Sequence, residues 1–146
     1  MTIFDPDVRP QGAFVAGVGC TTGATQGDIV ALIDSCLAHS RIDPTELVAI
    51  GTHARKRASA ELAAAAAHYG VPLRFFADDE FELARGVSEG VAAVAGVIVL
   101  PKQKSATATC ALAQCGSDFV LADYGQPPSP SASMAASSVS TSRAGP

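Results

Sequence analysis

The sequence predicts an α/β protein, specifically a three-layer α/β/α sandwich on a mostly parallel sheet of about five strands with an antiparallel edge. Short apolar runs, of the kind that form strands buried on both faces, alternate with segments of helical periodicity. The last two apolar runs are joined by only six residues, 101–106, a link too short for a crossover helix. These two runs should therefore pair antiparallel.

The first strand and helix follow from their boundary residues. Residues 14–18 form an apolar run closed by Gly19, which predicts a buried strand. Thr25 stands three positions before Asp28, a weak variant of the capping box, and apolar side chains then recur at helical spacing across 29–37. We therefore expect a helix that begins after Thr25.

The second strand and helix are bounded in the same way. Asp43 and the proline after it predict a single helical turn that leads into a strand at 47–50. Ser59 should cap the next helix, and Gly70 is the usual kind of residue to end it.

The rest of the core continues the alternation. Residues 71–76 predict a short strand, and Asp78 should cap an acidic helical turn over 79–84. Ser88 should open another apolar helix, and the two last strands are expected at 97–100 and 107–113.

A change in composition near residue 125 divides the chain. Residues 126–146 contain seven Ser and four Pro among 21 residues and show no apolar periodicity. The sequence therefore predicts a single domain over residues 1–125 and a disordered tail over 126–146.

Composition and charge exclude several functions. A net charge of −4 and an aromatic content of 5% do not favour nucleic-acid binding. The longest apolar stretch, 90–101, is well short of the ~20 residues of a membrane-spanning helix, and the N-terminus lacks a basic signal-peptide region. We expect a cytoplasmic protein whose four cysteines are reduced. The cysteines form no C-x-x-C and the histidines no local pair, so neither a metal nor a cofactor is predicted.

A ligand in such a sheet should lie beyond the carboxyl ends of its strands. The loop after the first strand is a candidate anion cradle, because glycines permit close approach of the backbone and the next helix begins with unpaired N–H groups. A purely structural tight turn would explain the glycines equally well. The residues of this loop that we single out are Gly17, Gly19, Cys20, Thr21, Thr22 and Gly23.

Cations follow two other strands. Lys56 lies within a run of three cations, 55–57, after Thr52, and Lys102 and Lys104 project to one side if their segment is extended. Ammonium groups suit carboxylates or phosphates. A solvated loop and the protection of an edge strand are the alternatives.

Cys20 offers a second kind of chemistry. A thiol near a helix N-terminus can have a lowered pKa and act as a nucleophile. A quiet, buried thiol is the more common alternative.

Four segments, in the order in which they occur, carry a resemblance to a known family. VAGVGC, GTHARK, VPLRFF and LPKQKSATATCALA together resemble the CobE family, which includes the C-terminal domain of CbiG in cobalamin biosynthesis. The resemblance covers about residues 12–116 and implies a role in building the corrin ring of vitamin B12.

The resemblance implies that the partner is a corrinoid or other tetrapyrrole intermediate, and that other corrin-pathway enzymes are further partners. Such a ligand is a broad apolar macrocycle fringed with carboxylates, so its binder needs small residues, backbone N–H groups and separated cations. We predict a corrinoid-binding protein that acts as a step enzyme or a carrier. The alternatives are a small acyl- or phosphate-transfer enzyme that uses Cys20 and a scaffolding module. The predicted substrate-binding residues are Gly17, Gly19, Cys20, Thr21, Thr22, Gly23, Thr52, Lys56, Lys102, Lys104, Ser105 and Thr107.

Overall fold

The structure is a computed structural model that describes residues 12–128. Its strands are β1 (Phe14–Cys20), β2 (Leu47–His53), β3 (Leu73–Phe76), β4 (Gly96–Lys104) and β5 (Ala108–Cys115). Its α-helices are α1 (Gln26–His39), α2 (Ala60–Tyr69) and α3 (Val87–Ala95). Short 3-10 turns lie at Pro44–Glu46, Ala54–Lys56, Asp78–Glu80, Leu83–Arg85 and Leu121–Asp123.

The five strands form one sheet in the order β3-β2-β1-β5-β4. β1, β2 and β3 pair in parallel, β5 runs antiparallel to β1, and β4 runs antiparallel to β5. All strands except β5 therefore point the same way, and the antiparallel pairs lie on the β4 side of the sheet. The predicted fold class is confirmed. The β4–β5 link is shorter than expected, because β4 continues to Lys104 and leaves only residues 105–107 between the strands.

Helices cover both faces of the sheet. α1 and α2 pack on one face, where Ile29, Ile33 and Leu62 are fully buried. α3 packs on the other face through Val91 and Ala92. Strands buried on both sides explain why the apolar runs of the sequence are nearly continuous rather than alternating.

The predicted start of α1 and both predicted ends of α2 are confirmed. The Thr25 side chain accepts a hydrogen bond from the backbone N–H of Asp28, and the Asp28 carboxylate accepts from that of Thr25, each at 3.0 Å. This pair forms a complete capping box. Ser59 caps α2, and Gly70 ends it with a left-handed backbone.

The acidic helical turn predicted over 79–84 is wrong. Two separate 3-10 turns occupy this region, and the first begins at Asp78 itself, with Ala77 as the residue before it. Phe81 interrupts them with an extended backbone (φ −152°, ψ 168°) and a ring that is buried in the core. Burial of this ring therefore prevents one continuous helical turn.

The first residues of the predicted tail are part of the folded domain. Gln126 forms a backbone bridge with Phe75 on the free edge of β3, with hydrogen bonds of 2.9 and 2.8 Å. Arg57 donates hydrogen bonds to the Gln126 side chain and to the carbonyls of Pro127 and Pro128. Residues 126–128 are therefore held against the β3 side of the folded domain. Residues 129–146 lie outside the described residues, and the tail prediction stays a prediction for them.

Candidate functional site

A cleft of about 340 Å³ opens at the carboxyl edge of the sheet, and we call it the main cleft. The end of β1, the β4–β5 hairpin, the turn after β2 and the first residues of α3 line it. This is the edge at which ligands bind in open α/β sheets. The structure brings seven of the predicted binding residues to it: Gly19, Cys20, Thr21, Lys102, Lys104, Ser105 and Thr107.

A smaller cleft of about 220 Å³, the side cleft, adjoins the main cleft. Thr21 and Arg55 line both clefts, so the two are contiguous. Thr22 and Lys56, also predicted as binding residues, line the side cleft. The two clefts therefore form one surface that runs from the β4–β5 hairpin to the turn after β2.

Hydrogen bonds join the walls of the main cleft. The backbone N–H of Thr21 donates to the carbonyl of Thr107 at 2.9 Å, which ties the first loop to the tip of the hairpin. The Thr107 hydroxyl donates to the Asp28 carboxylate at 3.2 Å, which ties the tip to α1. Within the hairpin, Ser105 Oγ accepts from the N–H of Ala108 at 3.1 Å. These contacts hold the first loop and the hairpin in one arrangement.

The predicted anion cradle at the start of α1 is already occupied by the chain itself. The capping box uses the N–H groups of Thr25 and Asp28 and places the Asp28 carboxylate at this helix terminus. The hydrogen bond from the Thr25 backbone, followed by those from the Thr107 and Thr25 side chains, lowers the pKa of Asp28. An ionised carboxylate there repels a second anion, which disfavours the start of α1 as the cradle.

Three predicted binding residues lie outside both clefts. A Cβ at Gly17 would lie 2.0 Å from the carbonyl oxygen of Ser88, so this glycine allows α3 to pack on β1. Thr52 is fully buried and donates its hydroxyl to the carbonyl of Val18 at 2.7 Å, which links β2 to β1. Gly23 lies in the exposed turn before α1. Gly17 and Thr52 therefore have structural roles.

The rim of the two clefts carries four cations: Arg55, Lys56, Lys102 and Lys104. Within residues 12–128, none of the four forms an ion pair with a carboxylate. The chain as a whole has a net charge of −4. The clefts are thus a locally positive region of an acidic protein, which attracts anionic ligands.

His53 holds the turn that carries Arg55. Its Nδ1 accepts a hydrogen bond from the backbone N–H of Arg55 at 3.0 Å, so the ring proton is on Nε2 and is donated to Asp78 at 2.5 Å. The ring also packs edge-on against Phe81. Both ring nitrogens are therefore engaged, and His53 has no free nitrogen with which to accept a proton from a neighbouring thiol.

Cys20 is not an activated thiol. Burial raises its pKa, an effect that the nearby Lys56 ammonium opposes and the Glu61 carboxylate reinforces; the net shift is upward. At neutral pH the side chain is a neutral thiol, which is a poor nucleophile. Together with the engaged nitrogens of His53, this disfavours an enzyme that uses Cys20.

Sequence reasoning missed two parts of the main cleft. Arg55 lies within the cationic run, but we named only Lys56 from that run as a binding residue. Gly86, Val87 and Ser88 reach the cleft because α3 begins beside the β4–β5 hairpin. In the sequence, the signal for this second part is Gly86, which stands shortly before the predicted helix start at Ser88. This glycine does not show which loops the start of the helix will contact.

Two other properties can be read from residues 12–128. They contain no group of three or more His, Cys, Asp or Glu side chains able to hold a metal ion. No helix among them is both long and apolar enough to cross a membrane.

Comparison with known families finds one match to part of the chain. Residues 14–85 match the family model described as the cobalamin synthesis G C-terminus. This segment belongs to that family. The matched region includes β1, β2 and β3 with the first loop and the turn after β2, and the resemblance inferred from the sequence is confirmed. Residues 14–85 therefore carry the similarity to a cobalamin-biosynthesis family. No curated protein sequence matches the chain significantly.

Solved structures of cobalamin-biosynthesis proteins share the fold. CobE, a protein from the cobalamin biosynthetic pathway, is 21% identical and aligns over 73% of this chain and 93% of its own, with a TM-score of 0.60. The cobalamin biosynthesis protein chiG from Agrobacterium tumefaciens is 23% identical over 72% of this chain and 100% of its own, with a TM-score of 0.57. A homologue of cobalamin biosynthesis protein G from Sulfolobus solfataricus is 18% identical, with 73% and 38% of the chains aligned and a TM-score of 0.59. At these identities the likeness shows that this chain shares the fold of these three proteins.

Proposed function

We propose that this cobalamin synthesis G C-terminal domain binds a corrin-ring intermediate of cobalamin biosynthesis through the main and side clefts. The observation that carries the proposal is the set of four rim cations without carboxylate partners among the described residues. Unpaired cations that converge on one cleft of an acidic protein are typical of a site for a multiply charged anion. The family match supports the choice of anion.

The shape and lining of the clefts suit one edge of such a macrocycle. The ring is larger than either cleft, so the clefts would hold one edge while the rest stays outside. Small residues, among them Gly19, Ala106 and Ala108, line the main cleft beside the lysines. These small side chains leave room for a flat apolar ring, and the separated cations can bind several carboxylates at the edge of the ring.

Binding, rather than thiol catalysis, is the function that the geometry favours. A nucleophilic Cys20 would need a lowered pKa or a free base beside it. The pKa of Cys20 is raised, and both nitrogens of His53 are engaged. We therefore propose a corrinoid-binding protein, and a carrier role fits this arrangement better than a thiol enzyme.

Titration with anionic tetrapyrroles tests the proposal. Hydrogenobyrinic acid, and uroporphyrin as a more available polycarboxylic probe, should change their visible spectra when the full chain is added. Replacement of Lys56, Lys102 or Lys104 by Ala should weaken binding by about 1–3 kcal/mol each, as expected for a hydrogen bond to a charged group. Arg74→Ala is the matched control, because Arg74 lies on β3 at the opposite edge of the sheet from β4.

Two results would contradict the proposal. One is an unchanged spectrum with both tetrapyrroles at every protein concentration. The other is equal affinity for the wild type, the three lysine variants and the control, since binding would then lie elsewhere. A scaffolding role, the remaining alternative from the sequence, predicts the first of these results together with stable association with another enzyme of the pathway.

A further inference from the structure

The first residues of α3 carry backbone N–H groups without intrahelical acceptors, and Val87 and Ser88 line the main cleft. The residue before the helix is Gly86, which has no side chain to cap it and adopts a positive φ of 88°. In the described part of the chain, no side chain caps this terminus. The first intrahelical bond runs from the N–H of Gly90 to the carbonyl of Gly86, so the N–H groups of Val87, Ser88 and Glu89 have no intrahelical acceptor.

Ser88 adds a side-chain donor at the same place. This residue lines the main cleft, yet it is only 1% exposed, and its hydroxyl has no hydrogen-bond partner among the described residues. Buried hydroxyl groups are nearly always hydrogen-bonded, so an unpartnered one requires an explanation. A ligand atom that completes the hydrogen bond is such an explanation, and it is independent of the helix terminus.

A lysine ammonium lies over the same helix start. Lys102 Nζ is 3.9 Å from the position that a Cβ on Gly86 would occupy, so the ammonium group lies beside the helix start. The carboxylate in the first turn of α3, that of Glu89, is turned to β4, where it accepts the backbone N–H of Lys102 at 2.8 Å. Glu89 thus anchors α3 to β4, and the Lys102 ammonium forms no ion pair with it.

We propose that the start of α3 is a carboxylate-binding subsite of the main cleft. The Ser88 hydroxyl and the free N–H groups at the helix start would donate to the carboxylate oxygens, and the Lys102 ammonium would neutralise the charge. The inference rests on the proposed function for the identity of the ligand, since the carboxylate would be one acetate or propionate side chain of the macrocycle. In this proposal the start of α3, rather than the start of α1, is the helix terminus that binds the anion.

Ser88→Ala tests the subsite with the full chain, and Ser40→Ala is its matched control. Ser40 has the other buried hydroxyl without a partner in residues 12–128, and it lies outside the main cleft at the end of α1. Both variants remove an unsatisfied polar atom, so neither should lower the melting temperature. Only Ser88→Ala should weaken uroporphyrin binding, by about tenfold or more, as expected for the loss of a charge-assisted hydrogen bond.

A second measurement uses propionate and does not need a tetrapyrrole. Propionate added at constant ionic strength should shift the backbone amide NMR signals of Val87, Ser88 and Glu89 in the wild type. The same titration of Ser88→Ala should give smaller shifts at these positions, because one donor is missing.

The outcomes separate the two proposals. If uroporphyrin binds the wild type and Ser88→Ala equally, the subsite is wrong while corrinoid binding in the clefts stands. If no tetrapyrrole binds, the proposed function is wrong, and the propionate titration alone decides on the subsite. The absence of propionate-dependent shifts at the α3 amides would then overturn the inference, and their presence would support it.

Discussion

Gly17→Ala should destabilise the protein strongly, because Gly17 is the point at which α3 packs on β1. A Cβ at this position would lie 2.0 Å from the carbonyl oxygen of Ser88 and 2.9 Å from the backbone nitrogen of Ala92. Both are backbone atoms, so no rotamer change can relieve the clash. α3 would have to move by about 1 Å or more from the sheet before the first contact reached van der Waals distance.

The expected loss follows from this displacement. Overpacking of a well-packed core costs about 1–3 kcal/mol, and a clash with backbone belongs at the upper end of that range or above it. We therefore expect the free energy of unfolding to fall by about 3 kcal/mol. The same movement would carry Ser88 and the start of α3 away from the β4–β5 hairpin, so tetrapyrrole binding should weaken as well.

Urea denaturation of Gly17→Ala and Gly23→Ala measures this effect with a matched control. At Gly23 the atom nearest to an added methyl group would be Thr21 Oγ1 at 4.0 Å, an ordinary contact. Gly23→Ala should therefore keep its stability to within about 0.5 kcal/mol. The reasoning would be refuted if Gly17→Ala were as stable as the wild type, or if both glycine variants lost stability equally.

Two further predictions concern the thiol and the C-terminal segment. Because burial raises the pKa of Cys20, its alkylation by iodoacetamide should be slower at neutral pH than that of free cysteine and should accelerate as the pH rises; fast alkylation at neutral pH would contradict this. Truncation after Pro128 should leave the melting temperature unchanged, whereas truncation after Gly125 removes Gln126 from β3 and the acceptors of Arg57 and should lower stability by about 1–3 kcal/mol. Equal melting temperatures for the two truncations would show that the Gln126 contacts contribute nothing.

The sequence alone determined those features that depend on residues close together in the chain. The start of α1 could be predicted because Thr25 and Asp28 cap it from three positions apart. The end of α2 could be predicted because Gly70 readily adopts the left-handed backbone that ends a helix. The antiparallel pairing of β4 with β5 followed from the length of their link, since a short link has no room for a crossover. The sequence and order of four short segments also carried the resemblance to the CobE family.

Tertiary structure alone decided which of these strand ends and helix starts meet. Gly17 and Thr52 resembled ligand-binding residues in the sequence, but the packing of α3 and the pairing of β2 with β1 give them structural roles. The start of α3 lines the main cleft because β4, a strand that comes later in the chain, places Lys102 beside Gly86. Contacts of this kind depend on strand order and on the face that each helix covers. Strand order and helix position are set jointly by many residues that are far apart in the chain, so no local sequence pattern predicts them.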